Sequence, residues 1–97
     1  MITIDYVIKH PVGLYASLAN GLVSIANDIK AEAHIIYENK CVNMKSLMGI
    51  ISLGVPYNGK IQIQITGDKK KEMKQKLEHF LKDEASFLYW FSLVTFL

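Results

Sequence analysis

The chain has 97 residues, which is enough for one small domain with a modest core. All 11 basic residues are lysine and the formal net charge is only +2, which excludes the basic, arginine-rich surface typical of direct nucleic-acid binding. A single cysteine, Cys41, excludes an internal disulfide. A start without a basic, apolar leader predicts a cytoplasmic protein.

The first half of the chain predicts a strand, a helix and a hairpin. Apolar residues alternate over residues 2–8, as in a half-buried strand, and then follow the helical period over residues 16–29. Two strand-like runs, 32–38 and 40–44, are separated by a connection short enough for a hairpin. Within that connection, Asn39 is the residue expected to tolerate a positive φ.

The second half predicts a helix, a strand and a helix. Residues 46–54 form a short helix with Ser46 at the N-cap, residues 60–66 alternate as a strand, and residues 69–84 carry one apolar helical face. The order β-α-β-β-α-β-α predicts an α+β fold. We expect an open-faced two-layer sandwich, with a four-stranded antiparallel sheet and three helices on one face.

Two candidate chemical motifs lack the surroundings or the spacing that their chemistry requires. Residues 54–60, GVPYNGK, match part of a phosphate-binding loop, but the next residue is Ile61 rather than Ser or Thr, and the loop enters a strand instead of a helix. The three histidines and Cys41 lack metal-ligand spacing. With no catalytic constellation evident, we expect a protein that is not an enzyme and that has no metal or cofactor.

The segment VNMKSLMGIISLG, residues 42–54, carries a specific resemblance. Its order and spacing resemble the regulatory segment of HPr, the histidine-containing phosphocarrier family of the bacterial sugar phosphotransferase system. The matching residues are Asn43, Lys45, Ser46, Leu47, Met48, Gly49, Leu53 and Gly54. The resemblance covers roughly residues 1–84, and Gly13-Leu14 matches the entry to the family's active-site helix.

At that entry the chain departs from the family pattern Gly-Leu/Ile-His-Ala-Arg-Pro-Ala. Tyr15 occupies the position of the phosphorylated histidine, Ser17 that of the arginine and Leu18 that of the proline. A tyrosine hydroxyl has a pKa near 10 and its phosphate ester is a poor phosphoryl donor, whereas an imidazole with a pKa of about 6.5 is suited to reversible transfer. His10 lies in the preceding loop and is not expected on the helix N-terminus.

The resemblance therefore implies a regulator of the Crh type, the paralogues that lack the active-site histidine. It implies that HPr kinase/phosphorylase phosphorylates Ser46 and that the protein then assists a catabolite control repressor. The expected partner-binding residues are Leu47, Met48, Ile51, Tyr15, Ala16, Ser17 and Asn20. A phosphocarrier that uses another residue, and a self-associating module without enzymatic activity, remain as alternatives.

The last 13 residues, 85–97, form a hydrophobic extension beyond the domain of residues 1–84. As a helix they would span about 20 Å, short of the ~30 Å hydrocarbon core of a bilayer. Four roles are open to such a segment: extending the last helix, covering the open face of the sheet, joining two protomers or lying on a membrane surface. We expect it to join two protomers or to fold back on the domain, and not to cross a membrane.

Overall fold

In a computed structural model, the backbone of residues 1–96 and the side chains of residues 1–84 are described. Seven elements follow in the predicted order. They are β1 (Ile2–Val7), α1 (Ala16–Asp28), β2 (Glu32–Tyr37), β3 (Lys40–Asn43), α2 (Leu47–Ser52), β4 (Lys60–Thr66) and α3 (Lys70–Phe96). The four strands form one antiparallel sheet in the order β1-β4-β2-β3. The predicted fold class is confirmed.

One face of the sheet forms the floor of the core. The register aligns Ile4, Ile63 and Ile35 across three strands, and Ile63 and Ile35 are fully buried. Because side chains alternate along a strand, Gln62 and Gln64 project from the opposite face. The helices cover the apolar face with side chains such as Leu22, Ile50 and Leu77. Burial of these residues supplies the main stabilisation of this small domain.

The hairpin between β2 and β3 has the predicted length but not the predicted geometry. Tyr37 pairs with Lys40, so Glu38 and Asn39 are the two loop residues. The positive φ, 54°, falls on Glu38, and the expectation that Asn39 would adopt it was wrong. A left-handed conformation costs a residue with a Cβ about 1–2 kcal/mol, and the register of the two strands imposes it here.

Helix α3 is longer than the sheet that it covers. Its 27 residues correspond to about 40 Å at 1.5 Å per residue, whereas the seven residues of β4 span roughly 23 Å. The backbone of residues 85–96 thus extends the last helix. The predicted roles of the side chains of residues 85–97 lie outside the described residues. Within the described part of the chain, no helix combines the length and the apolar character that crossing a bilayer requires.

Candidate functional site

The entrance of α1 is held by backbone contacts with the segment that follows α2. The N–H of Leu14 donates to the carbonyl oxygen of Val55 at 2.8 Å. Gly13 has a φ of 84°, and a Cβ built at this position would lie 2.2 Å from the same carbonyl oxygen. Only glycine meets both requirements without strain. The Gly13-Leu14 pair therefore serves to bring the loop after β1 against the end of α2.

Tyr15 occupies the N-cap position of α1 but does not cap it. Its backbone is extended, and its side chain makes no capping hydrogen bond. Instead, the hydroxyl group donates to a carboxylate oxygen of Glu84 on α3. The ring stacks on His10, with centroids 4.0 Å apart and planes inclined by 27°. His10 is itself held by the N–H of Val12, which donates to Nδ1 at 3.2 Å.

These surroundings suppress the acidity of the Tyr15 hydroxyl. Burial raises its pKa, and the hydrogen bond to Glu84 and the negative charges of Glu84 and Tyr6 raise it further, to about 12. The phenol is therefore fully protonated at neutral pH and is a weak nucleophile. Ser17, two residues further on, is exposed and brings no positive charge to the entrance. Ser17 therefore does not supply the cation that stabilises a phosphoryl group in transfer.

Ser46 is the N-cap of α2, as predicted. Its Oγ accepts a hydrogen bond from the N–H of Gly49 at 3.0 Å, and the residue is exposed. A Cβ at Gly49 would lie 2.9 Å from this oxygen, so the small residue leaves room for the capping contact. The preceding turn is held by Asn43, whose side-chain oxygen accepts from the N–H of Lys45 at 2.9 Å.

Helix α2 divides its apolar residues between the core and the surface. Ile50 and the C-cap residue Leu53 are 0% and 2% exposed. On the other side, Met48 is 74% and Ile51 39% exposed, while Leu47 is half-buried. An exposed apolar strip of this kind is a common feature of protein-binding surfaces.

The remaining predicted contact residues lie on α1. Ala16, Ser17 and Asn20 are all exposed, whereas the intervening Leu18 and Ala19 are buried in the core. Helices α1 and α2 pack against each other, so the two groups of predicted residues belong to adjacent elements.

The sequence did not predict the contacts that two residues, Glu84 and His10, make with Tyr15 at the α1 entrance. Glu84 stands 69 residues from Tyr15, and no local pattern links the two. His10 lies in the preceding loop, as expected, but its contact with Tyr15, in which the two rings stack, was not foreseen. The backbone turn at Gly13, where the N–H donates to the carbonyl of His10 at 2.9 Å, folds the loop back and brings this histidine into contact.

The other sequence motifs are structural. The segment 54–60 is a turn that leads into β4, and Asn58 takes a φ of 67° within it. Among the residues with described side chains, no group of His, Cys, Asp and Glu is suited to hold a metal ion. An open groove of about 380 Å³ lies at the far end of the sheet. It is lined by two lysines and two carboxylates together with smaller residues: Lys30, Ala31, Glu32, Lys45, Thr66, Gly67 and Asp68.

The fold and the two helix entrances define an HPr-like open-faced sandwich. Residues 2–83 match the family profile described as the PTS HPr component phosphorylation site. A curated relative, phosphocarrier protein HPr from Chlamydia muridarum, is 35% identical over 72 residues, which cover 74% of this chain and 69% of the relative. The chain belongs to the HPr family.

Solved structures of relatives have the same fold as this chain. HPr-C-His from Thermoanaerobacter tengcongensis superimposes with a TM-score of 0.78 at 32% identity, over 84% of this chain and 92% of that one. Crh, the catabolite repression protein of Bacillus subtilis, gives a TM-score of 0.65 at 26% identity, over 86% of this chain and 95% of that one. That Crh structure is described as a swapped, intertwined dimer.

Proposed function

We propose that this HPr-family protein is a regulatory member, of the Crh type, that is phosphorylated on Ser46 by HPr kinase/phosphorylase. In this form it assists a catabolite control repressor in the cytoplasm, as a binding partner rather than as an enzyme. The observation that carries the proposal is the contrast between the two helix entrances. Ser46 is exposed and its N-cap contact is intact, whereas Tyr15 replaces the histidine needed for phosphoryl transfer.

Phosphorylation at Ser46 would act through charge. A phosphoserine carries about −1.5 to −2 charges at pH 7 and three acceptor oxygens. At the start of a helix such an anion is favoured by roughly 0.3–1 kcal/mol. Because Ser46 already lies on the surface, the modification requires no unfolding. It would create a negative surface beside the apolar strip of α2.

The proposed docking surface combines that strip with the exposed side of the α1 entrance. Met48 and Ile51, with the half-buried Leu47, supply apolar contact area, and methionine adapts well to a partner surface. The α1 entrance adds its residues Tyr15, Ala16, Ser17 and Asn20. The phosphate would then determine when this surface binds, and the apolar strip would supply much of the affinity.

Labelling by HPr kinase tests the phosphosite. We expect the wild-type protein to be labelled, Ser46→Ala to be unlabelled, and Ser52→Ala to be labelled normally. Ser52 is a matched control, because it is an exposed serine of the same helix that hydrogen-bonds the carbonyl of Gly49 at 2.7 Å. Undiminished labelling of Ser46→Ala would place the site elsewhere.

We further propose that the protein has no phosphocarrier activity. Incubation with phosphoenolpyruvate and enzyme I should leave no acid-labile phosphate on the wild type. Tyr15→His alone should recover little transfer, since Ser17 and Leu18 also differ from the family pattern. A stable, transferable phosphate on the wild type would favour the alternative of a carrier that uses another residue.

The alternative carrier has one specific candidate, His10, because its ring lies against Tyr15 at the α1 entrance. Its Nδ1, however, accepts the N–H of Val12 and is not free to attack a phosphoryl donor. His10→Gln separates the cases. Loss of an acid-labile label in this variant, with the label kept in His79→Gln, would assign a carrier role to His10.

Self-association through residues 85–97 is also proposed. Residues 85–97 are almost wholly apolar, and the α3 backbone continues past the sheet. We therefore expect a second copy of the chain to bury this segment. Truncation after Glu84 should convert a dimer into a monomer in light scattering. A full-length protein that is monomeric, with melting unchanged by truncation, would contradict both association and folding back.

A further inference from the structure

Three elements meet at the entrance of α1. The hydroxyl of Tyr15 donates to Glu84 on α3. Tyr6 of β1 also reaches α3, where its hydroxyl lies 3.5 Å from the carbonyl oxygen of Leu81. The carboxylate of Glu84 is close enough to Tyr6 for its charge to raise the pKa of that phenol as well, after the larger effect of burial. One carboxylate therefore faces two phenols from two other elements.

The side chain of Tyr15 is held from two directions. On one side the hydroxyl is bound by Glu84, and on the other the ring lies on His10. A helix normally begins with a short polar side chain that caps its first N–H groups, and Tyr15 makes no such contact. The backbone of Tyr15 is bound to the helix through the N–H of Ala19, which donates to its carbonyl oxygen at 3.0 Å, but the position of its side chain is not fixed by the helix. It is fixed by α3 and by the loop after β1.

We propose that Glu84 is a positioning residue that latches Tyr15 to α3 and so presents the α1 entrance in one arrangement for docking. The inference rests on the proposed function for one step, namely that this entrance contacts HPr kinase/phosphorylase while the enzyme acts on Ser46. An aromatic side chain held in place before binding loses less conformational freedom when a partner covers it. The latch thus favours docking by ordering Tyr15 beforehand, with no direct contact from Glu84 to the partner.

The latch also connects the entrance to the C-terminal helix. Glu84 immediately precedes residues 85–97, and its hydrogen bond joins this point of α3 to the start of α1. A change at Glu84 that breaks the hydrogen bond alters the surroundings of Tyr15, and a change at Tyr15 alters those of Glu84, because this side-chain contact joins the two residues. A substitution at Glu84 should therefore alter the environment of Tyr15, although the two residues are distant in sequence.

Titration of ¹³C-labelled tyrosine by NMR tests the latch without any partner. Tyr15→Phe identifies the Tyr15 signal. In Glu84→Gln we expect the pKa of Tyr15 to fall from about 12 toward, but not to, its ordinary value of 10.0, since burial, the largest cause, remains. The amide shifts of Ala16 and Ser17 should move as well. Glu78→Gln, an exposed carboxylate of α3 paired with Lys74 at 3.2 Å, should change neither.

Kinase kinetics then test the consequence for docking. Glutamine can still accept from the Tyr15 hydroxyl, but only through a neutral oxygen, so Glu84→Gln weakens the hydrogen bond without abolishing it. In this variant we expect KM for Ser46 phosphorylation to rise about two- to tenfold, the difference between a charged and a neutral acceptor, with kcat unchanged. The double variant Tyr15→Phe/Glu84→Gln should be no worse than Tyr15→Phe, because Glu84 acts only through the hydroxyl. A Tyr15 titration and amide shifts that are the same in Glu84→Gln and wild type would overturn the latch.

The two failures are distinguishable. If the wild-type protein is not labelled by the kinase, the proposed function fails, while the titration still decides whether the latch exists. If the titration moves but KM does not, the latch does not influence docking, and the inference is overturned at that step. If KM rises as much in Glu78→Gln as in Glu84→Gln, the effect comes from the loss of a negative charge on α3 and not from the hydrogen bond to Tyr15. This result would also overturn the inference.

Discussion

Replacement of Ser46 by alanine should lower stability by a definable amount. The variant loses one hydrogen bond, in which the N–H of Gly49 donates to Ser46 Oγ at 3.0 Å. Loss of an N-cap side chain costs about 1 kcal/mol, within a range of 0.5–2. For a domain of this size, 1 kcal/mol corresponds to a shift of roughly 4–8 °C in Tm. Thermal denaturation followed by circular dichroism measures it.

Ser46→Asn separates the cap from the phosphosite. Asparagine is as good an N-cap as serine, so the variant should melt within a few tenths of a kcal/mol of the wild type while remaining unlabelled by the kinase. Equal destabilisation of Ser46→Asn and Ser46→Ala would show that the capping contact is not the source of the loss. A Ser46→Ala protein that melts like the wild type would refute the reasoning directly.

Three further predictions follow from exposure, titration and backbone geometry. Met48→Asp should weaken partner docking and leave the fold intact, because Met48 is 74% exposed. Ile50→Asp should unfold the domain, because Ile50 is fully buried. If Met48→Asp leaves docking unchanged, α2 is not part of the binding surface. The fold raises the pKa of Tyr15 above its ordinary value of 10.0 to about 12, so its stabilising contribution is complete below pH 10 and is lost as the pH rises from 10 to 12. Between pH 10 and 12, urea denaturation should therefore show a smaller decrease in the free energy of unfolding for Tyr15→Phe than for the wild type. Equal decreases would contradict the raised pKa of Tyr15. Gly13→Ala should lower the free energy of unfolding by about 1–3 kcal/mol more than Gly54→Ala, the typical cost of overpacking, because both glycines have positive φ but only at Gly13 would a Cβ clash with a backbone oxygen. Equal urea midpoints would show that the loop moves aside.

The periodicity of the chain was sufficient to predict the architecture. The isoleucines of β4 alternate with polar residues, and α3 places Met73, Leu77 and Leu81 at helical spacing, all of them buried. Such patterns reflect the geometry of one strand or one helix and are therefore visible locally. The same applies to Ser46, whose capping role depends on an N–H only three residues away.

The departure at the α1 entrance was also evident from sequence. Tyr15 and Ser17 are chemically different from the histidine and arginine of the family pattern, and the proposed loss of phosphocarrier activity rests on the high pKa of a phenol and on the neutral side chain of Ser17. The sequence thus determined the fold, the N-cap serine and the presence of Tyr15 where the family pattern has histidine. None of these depends on knowing which distant residues meet.

Only the tertiary structure decided what surrounds Tyr15. The hydrogen bond to Glu84 joins residues 69 positions apart, and it depends on α1 and α3 packing side by side on the sheet. The contact with His10 depends on a loop that turns back at Gly13. Periodicity reports which face of an element is buried but not which side chain of another element lies opposite it. The latch at the α1 entrance is a product of that packing.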